Sequence, residues 1–146
     1  MTKTKRGTAM AYWLMKSEPG EWSWDDQARK RTTGWTGVRN YQATNNMKAM
    51  KHGDRAFFYH SVDEKSIVGV VEVTKTYHPD PTDDTGRWGM VEVKAVKPVK
   101  RPVTLAEIRA HPRLQQLALV RQSRLSVMPI GEKEWGILCA MAGIDS

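Results

Sequence analysis

The stretch "DRAFFYHSVDEKSIVGVVEVTKTY", residues 54–77, decides the fold class, because it holds two long runs of β-forming residues. The runs "DRAFFYHS" and "SIVGVVEVTKTY" are rich in aromatic and β-branched side chains, which favour strands. Asp63, Glu64 and Lys65 lie between them, and a short polar break between two such runs is typical of a hairpin. We therefore predict two adjacent antiparallel strands here.

Further strands are predicted on both sides of this hairpin. The apolar run "AYWLMKS", residues 11–17, suits a buried strand and ends at the turn residues "EPG". The run "MVEVKAVKPV", residues 90–99, alternates apolar and polar side chains as a half-exposed strand does. "RLSVMPI", residues 124–130, predicts a short extended piece, and "HPDPTDDTGRWG", residues 78–89, predicts an exposed loop.

Helices are predicted from their start and stop signals. Ser23 followed by Asp26 has N-cap character and predicts a helix over residues 24–31. Apolar residues spaced by three and four predict a second helix that stops at Gly53. Thr104 and Glu107 have capping-box spacing, "RLQQLALV" (residues 113–120) has helical apolar content, and "EKEWGILCAMAG" (residues 132–143) predicts a last helix.

The order of these elements sets the fold class. Strands and helices do not alternate regularly, which argues against a doubly wound parallel sheet. We expect an α+β (mixed α/β) domain in which helices lie around a curved or barrel-like sheet. A chain of 146 residues suits one domain, which we place at residues 10–146 after a flexible basic tail at residues 1–9.

Charge points to the class of partner. The formal net charge is +7, from 23 Lys and Arg against 16 Asp and Glu. Such an excess favours a polyanion such as nucleic acid through counterion release, although basic charge also serves solubility. Charge alone leaves both interpretations open.

Several kinds of site find no support in the sequence. One cysteine, Cys139, excludes an intramolecular disulfide, and with four scattered His it gives no metal-ligand spacing. The chain lacks GxxxxGK[ST], GxGxxG and HExxH, and no apolar run approaches the roughly 20 residues of a membrane span. We expect a soluble, intracellular, cytoplasmic protein that needs no metal or cofactor.

Four short stretches concentrate side chains that can recognise a flat, polar ligand: "WLMKSEP" (13–19), "GWTGVRN" (34–40), "FFYHS" (57–61) and "RQSRLSV" (121–127). Aromatic rings stack on a base, Asn and Ser bond its edge, and Arg and Lys hold phosphates. Each feature also has a structural interpretation. Trp35 is as consistent with a core residue, Glu18 with a polar strand end, and Arg121 and Arg124 with a solvated basic face.

Together and in this order, these four stretches resemble the EVE domain, a family related to the PUA fold and to YTH domains. The match is carried by "YWLMKSEP" (12–19), "WTGVRNYQATNNMKAMKHGD" (35–54), "FYHS" (58–61), "VGVVEV" (68–73) and "SRLSVMPI" (123–130). It covers about residues 11 to 144. The resemblance implies a PUA-like domain with a strongly curved, partly closed, β-barrel-like sheet, peripheral helices and a pocket at the opening of the sheet.

The resemblance also implies which residues form a base pocket. Carried over residue by residue, they are Lys16, Ser17, Glu18, Trp35, Gly37, Val38, Arg39, Asn40, Tyr59, His60, Ser61, Ser123, Arg124, Leu125 and Ser126. Trp35 and Asn40 are the candidates expected to face the ligand most directly. Trp22 and Trp24 lie where the family varies more, so they are less certain as parts of a pocket wall.

Two functions follow as hypotheses. The first is a non-enzymatic reader, a monomer, that binds a modified base in DNA or RNA, such as methylated or hydroxymethylated cytosine. The alternative is a small amidohydrolase acting on an acylated nucleoside, with Lys16 as nucleophile, Glu18 as base and Tyr59 as oxyanion donor. A structural adaptor with an unused pocket is a third possibility.

Overall fold

The computed structural model describes residues 10–146, so the predicted basic tail at residues 1–9 lies outside the described residues. The strands are β1 (Tyr12–Ser17), β2 (Thr32–Gly34), β3 (Arg55–His60), β4 (Ser66–Pro79), β5 (Gly89–Thr104) and β6 (Val127–Ile130). The helices are α1 (Trp24–Lys30), α2 (Tyr41–Ala49), α3 (Leu105–Ala110), α4 (Ala118–Arg121) and α5 (Glu132–Ala142).

The strands form one mixed six-stranded sheet in the order β2-β5-β4-β3-β1-β6. β1 pairs parallel with β3, whereas the β1–β6, β2–β5, β3–β4 and β4–β5 pairs are antiparallel. The mixed α+β class and the β3–β4 hairpin are therefore confirmed. The parallel β1–β3 pair joins strands that are distant in sequence, and the strand patterns did not predict it.

The expected strong curvature and partial closure of the sheet are not found. Closing a sheet into a barrel requires hydrogen bonds between its two edge strands. Here the edges are β2 and β6, which are short and lie at opposite ends of the strand order. The long strands β4 and β5 accommodate their twist through several register irregularities, and the sheet stays open.

The core lies on both faces of the sheet, and β3 shows this most directly. Phe57 stacks on Trp135 of α5, with ring centroids 3.9 Å apart. The next residue, Phe58, points to the other face, where it meets Trp24 of α1 and Trp35 edge-on at 5.4 and 5.5 Å. Because successive strand residues face opposite ways, a strand covered on both faces is apolar at consecutive positions.

The starts of α1 and α3 and the end of α5 agree with the predicted caps, whereas α2 ends at Ala49, before the predicted stop at Gly53. Ser23 and Asp26 form a capping box at α1, and Thr104 and Glu107 form another at α3. Helix α5 ends at Gly143, whose φ of 73° is the left-handed conformation that glycine adopts without strain. None of the helices within residues 10–146 is long and apolar enough to cross a membrane.

Three segments differ from the predictions. The segment 113–120 is mostly turns, and only its end joins the short helix α4. Strand β2 was not predicted, because three residues are too few to show a period. The segment 78–89 is only partly an exposed loop: His78 and Pro79 finish β4, Gly89 begins β5, and the side chain of Asp80 is fully buried.

Candidate functional site

A cavity of about 470 Å³ opens where the C-terminal end of β1 approaches the segment that follows β2. We call it the Trp35 cavity. Its volume lies within the roughly 300–1,000 Å³ that is typical of ligand clefts. It is lined by Lys16, Ser17, Glu18, Glu21, Trp22, Thr33, Gly34, Trp35, Thr36, Gly37, Val38, Arg39 and Ser126.

Backbone hydrogen bonds fix the wall contributed by the end of β1. The N–H of Lys16 donates to the carbonyl of Ser126 at 2.9 Å, which joins β1 to the residue just before β6. The hydroxyl of Ser17 donates to the carbonyl of Trp22 at 2.5 Å. The carbonyl of Glu18 accepts from the N–H of Trp22 at 2.8 Å and closes the turn. This wall is therefore positioned before any ligand arrives.

Trp22 is a wall residue that the sequence analysis placed among the less certain positions. Its indole N–H donates to the side-chain carbonyl of Gln27 at 2.9 Å. Gln27 is fully buried and in turn donates to the carbonyl of Arg31 at 2.7 Å. The ring orientation of Trp22 is thus set by helix α1. The available sequence signal was a Trp directly before the Ser23 cap.

Trp35 belongs to both the core and the cavity wall, so its two interpretations are compatible. Its side chain is only 7% exposed, and its ring meets Phe58 edge-on at 5.5 Å. Its N–H donates to the carbonyl of Val91 at 2.8 Å, which fixes the backbone beside β5. Trp35 also lines the cavity, so a ligand there would meet a residue whose position is fixed by the core.

Arg39 is held by the buried carboxylate of Asp80. One guanidinium nitrogen lies 3.1 Å from Asp80 Oδ2, and the other donates to the hydroxyl of Thr82 at 3.1 Å. The same carboxylate oxygen accepts from the N–H of Gly37 at 2.8 Å. Gly37 has a φ of 83°, a conformation that glycine adopts without strain. Arg39 and Asp80 therefore shape the cavity wall together.

The ionisation of Asp80 reflects this arrangement. Burial disfavours its charged form, but hydrogen bonds from Thr82, Gly37 and Arg39 outweigh burial and lower the pKa of Asp80 to about 2. Asp80 is a residue that the sequence analysis missed. Thr82 is a local partner, two residues further along, but Gly37 and Arg39 precede Asp80 by about 40 positions, and no local pattern links them to it.

A second depression, of about 350 Å³, adjoins the Trp35 cavity and shares Lys16, Glu18 and Ser126 with it. We call it the Tyr59 depression. Its remaining lining residues are Tyr59, Ser61, Val62, Lys65, Leu105, Arg109, Leu119, Ser123 and Arg124.

Burial and neighbouring charges affect Lys16 and Tyr59, two polar residues of the Tyr59 depression. The ammonium of Lys16 donates to the carbonyl of Ser123 at 2.9 Å. Burial, followed by the nearby Lys65 ammonium, lowers the pKa of Lys16. Burial also raises the pKa of Tyr59 to about 12, against the opposing effect of Arg109. Tyr59 is therefore protonated at neutral pH.

Asn40 lies in a third depression, of about 330 Å³, with Gln42, Arg121, Gln122, Ser123, Arg124 and Leu125. We call it the Asn40 depression. Asn40 is the N-cap of α2, and its side-chain oxygen accepts from the N–H of Ala43 at 2.9 Å. The two residues expected to face the ligand most directly, Trp35 and Asn40, thus border different depressions.

His60 lines none of the three depressions but holds the start of helix α1 through its side chain. It is mostly buried, and its Nε2 accepts from the N–H of Trp24 at 3.0 Å, at the start of α1. Its Nδ1 lies 2.8 Å from a carboxylate oxygen of Glu64. The neighbouring Ser61 donates its N–H and hydroxyl to the carbonyl of Ser17, at 2.9 and 3.3 Å. His60 and Ser61 thus use their polar groups on separate structural partners.

The structure distributes the predicted site residues over three neighbouring depressions, and most of them line the Trp35 cavity. The Trp35 cavity takes Lys16, Ser17, Glu18, Trp35, Gly37, Val38, Arg39 and Ser126; the Tyr59 depression adds Tyr59, Ser61, Ser123 and Arg124; the Asn40 depression adds Asn40 and Leu125. His60 borders none of these three. Across the described residues, no group of three or more His, Cys, Asp or Glu side chains is arranged to hold a metal ion.

Comparison with known proteins identifies the family to which this arrangement belongs. The model of the EVE domain matches residues 11–141, nearly all of the described chain. The chain belongs to the EVE domain family. Human thymocyte nuclear protein 1 is 33% identical over 174 aligned positions, which cover 96% of this chain and 77% of the human protein.

Solved structures of other proteins are also similar to this chain in their fold. A protein from Agrobacterium tumefaciens, solved by X-ray crystallography, is 47% identical with a TM-score of 0.90, covering 92% of this chain and 94% of that one. Human thymocyte nuclear protein 1, solved in complex with DNA containing 5-methylcytosine, is 32% identical with a TM-score of 0.85, covering 93% and 99%. An ASCH protein from Zymomonas mobilis shares the fold at 10% identity, with a TM-score of 0.56 and coverage of 89% and 94%.

Proposed function

We propose that this EVE domain is a non-enzymatic reader that binds nucleic acid carrying a modified base and holds that base in the Trp35 cavity. The observation that carries the proposal is the cavity itself, which is lined by Trp22, Trp35 and polar groups held by hydrogen bonds. The complex of the human relative with DNA containing 5-methylcytosine makes that base the first candidate. Hydroxymethylcytosine and modified bases of RNA are the next candidates.

The energetics suit a base that leaves its helix. Extruding a base from a duplex costs a few kcal/mol, and stacking on an aromatic ring returns about 1 to 3 kcal/mol. Trp35 and Trp22 are held in place by core contacts and by Gln27, so little side-chain freedom is lost on binding. Rigid walls therefore favour capture of an extruded base.

Discrimination between plain and methylated bases should be modest unless the methyl group fits closely. One buried methyl contributes about 0.8 kcal/mol, which corresponds to about a fourfold difference in affinity. A close fit between the methyl group and the cavity wall adds to this difference in affinity, because a plain base would leave a gap at that place in the cavity.

The test is a fluorescence-anisotropy titration of matched DNA and RNA oligonucleotides, plain or singly modified at cytosine or adenine. We expect one modified oligonucleotide to bind about fourfold tighter or more than its plain counterpart. Equal affinity for every plain and modified oligonucleotide would overturn the proposal.

The variant Trp35→Leu should abolish the preference for the modified base, because it removes the aromatic surface and keeps an apolar side chain. Trp35 is also a core residue, so the matched control is Trp135→Leu, which removes another buried indole from the opposite face of the sheet. Thermal unfolding establishes that both variants are folded. The control should lose stability and retain the preference.

The amidohydrolase alternative has one structural observation in its favour, since Lys16, Glu18 and Tyr59 border the same depression. The hydrogen bond from Lys16 to Ser123 and the protonated Tyr59 also suit a purely structural arrangement. Incubation with acylated cytidine followed by mass spectrometry decides the question. Turnover that disappears in Glu18→Ala would favour the enzyme, and we expect none.

A further inference from the structure

The Tyr59 depression concentrates positive charge beside the Trp35 cavity. Lys16, Lys65, Arg109 and Arg124 line it, together with a single carboxylate, that of Glu18. Within residues 10–146, none of these four cations lies within 4.0 Å of a carboxylate oxygen. The depression therefore carries a positive potential that the protein does not neutralise by ion pairing.

The backbone holds Lys65 at this depression in a strained turn. Val62 and Lys65 have φ angles of 76° and 46°, positive values that residues with a side chain rarely adopt. The carbonyl of Lys65 accepts from the N–H of Leu105 at 2.8 Å, which anchors the turn to the start of α3. Arg109 belongs to that same helix, so the two cations come from elements that are joined to each other.

The neighbouring groups already respond to this charge. Burial is the larger cause of the lowered pKa of Lys16, and the Lys65 ammonium adds to it; for Tyr59, burial raises the pKa and Arg109 opposes that rise. Cations that repel one another around an open depression form a site that an anion would stabilise.

Lys16, Glu18 and Ser126 line both the depression and the cavity, so the two are neighbours. A nucleotide whose base occupies the cavity must place its sugar and phosphates outside the cavity mouth. The depression offers cations there, whereas Arg39, on the cavity wall, is already paired with Asp80.

We propose that the Tyr59 depression binds a backbone phosphate next to the modified base, with Lys65 and Arg109 as the principal phosphate contacts. The inference rests on the proposed function, because it assumes that the base occupies the Trp35 cavity. Lys65 and Arg109 contribute affinity that is independent of the modification, and the cavity contributes the preference for the modified base.

The experiment measures binding of a DNA duplex with one 5-methylcytosine, and of its plain counterpart, at several salt concentrations. Arg109→Gln and Lys65→Gln should each weaken both duplexes roughly two- to fivefold. Each should also reduce the slope of log K against log salt by about 0.9, and the ratio of modified to plain affinity should not change.

Arg113→Gln is the matched control, since Arg113 is also exposed but lines a separate groove with Lys133, Glu134 and Ile137. It should leave affinity and salt slope close to those of the wild type. An equal loss in Arg113→Gln would mean a diffuse charge effect and would overturn the phosphate site while leaving the reader function intact.

A second measurement places the phosphate. Methylphosphonate linkages, which are uncharged, replace one phosphate at a time on either side of the modified base. At one position, the loss from methylphosphonate and the loss from Arg109→Gln should be non-additive, because both remove the same contact. Additive losses at every position would overturn the phosphate site. Equal affinity of the wild type for both duplexes would instead overturn 5-methylcytosine as the base that the Trp35 cavity holds.

Discussion

At the scale of single residues, the carboxylate of Asp80 links the cavity wall to the stability of the fold. Its pKa is lowered from 3.8 to about 2, so it is more acidic in the folded protein than in the unfolded chain. A lowered pKa stabilises the folded state above the unfolded pKa, and this contribution is lost as the pH falls from about 4 through about 2. At neutral pH it is worth about 2 kcal/mol.

Asp80→Asn should therefore reduce the free energy of unfolding by about 2 kcal/mol at pH 7, because the amide keeps the shape of the side chain but loses its charge. The gap between wild type and variant should shrink as the pH approaches 2. Urea unfolding across this pH range measures both effects. Asp84→Asn, in the same loop and exposed, should change stability by less than about 0.5 kcal/mol; a gap that does not depend on pH would contradict the explanation.

Gly69 makes room for the aromatic packing under the site. A Cβ built at Gly69 would lie 2.4 Å from the ring of Trp24, which itself packs edge-on against Phe58. Gly69→Ala should lower the free energy of unfolding by about 1–3 kcal/mol, as overpacking does in a dense core.

Gly136→Ala is the control for Gly69→Ala, because nothing lies within 4 Å of a Cβ built at Gly136 in helix α5. The control should be neutral or stabilising by up to about 1 kcal/mol, since alanine favours helix more than glycine does. Chemical denaturation compares the two variants directly. Equal stability of Gly69→Ala and wild type would mean that the Trp24 ring moves aside without loss.

At the scale of elements, α1 determines the orientation of one cavity wall. Its start is held by the Ser23–Asp26 capping box and by His60, which accepts the N–H of Trp24. Ser23→Ala should cost about 0.5–2 kcal/mol of stability and weaken the preference for the modified base, because Trp22 depends on α1 through Gln27.

Thr104→Ala removes the corresponding cap of α3 and should cost a similar amount of stability. Since α3 contributes nothing to the Trp35 cavity, the preference for the modified base should persist. Thermal unfolding and anisotropy titration of both variants test this contrast. Equal loss of preference in the two variants would mean that stability alone controls binding.

Elements with strong local signals were predictable from the sequence. The β3–β4 hairpin follows from its aromatic and β-branched runs, and the starts of α1 and α3 follow from their capping residues. Strand β2 has only three residues and exists because β5 offers it a partner, so its cause is tertiary. The same holds for Asp80, whose burial depends on partners distant in sequence.

At the scale of the whole molecule, the resemblance to the EVE family supplied what local patterns could not. It brought together segments from residues 16–18, 35–39 and 126, which indeed line one cavity. It also grouped Asn40 with Trp35, although the structure separates them because Asn40 serves as the cap of α2. The openness of the sheet depends on the pairing order of all six strands, which the sequence pattern does not specify.

The position of β1 in the sheet has a consequence for synthesis. β1 pairs with β3 on one side and with β6 on the other, and β6 begins more than 100 residues later in the chain. Chain closure over such a separation is slow compared with local hairpin formation. During translation the ribosome must therefore release the chain to beyond residue 126 before Ser126 can meet Lys16, and a chain that ends before this residue lacks part of the wall of the Trp35 cavity.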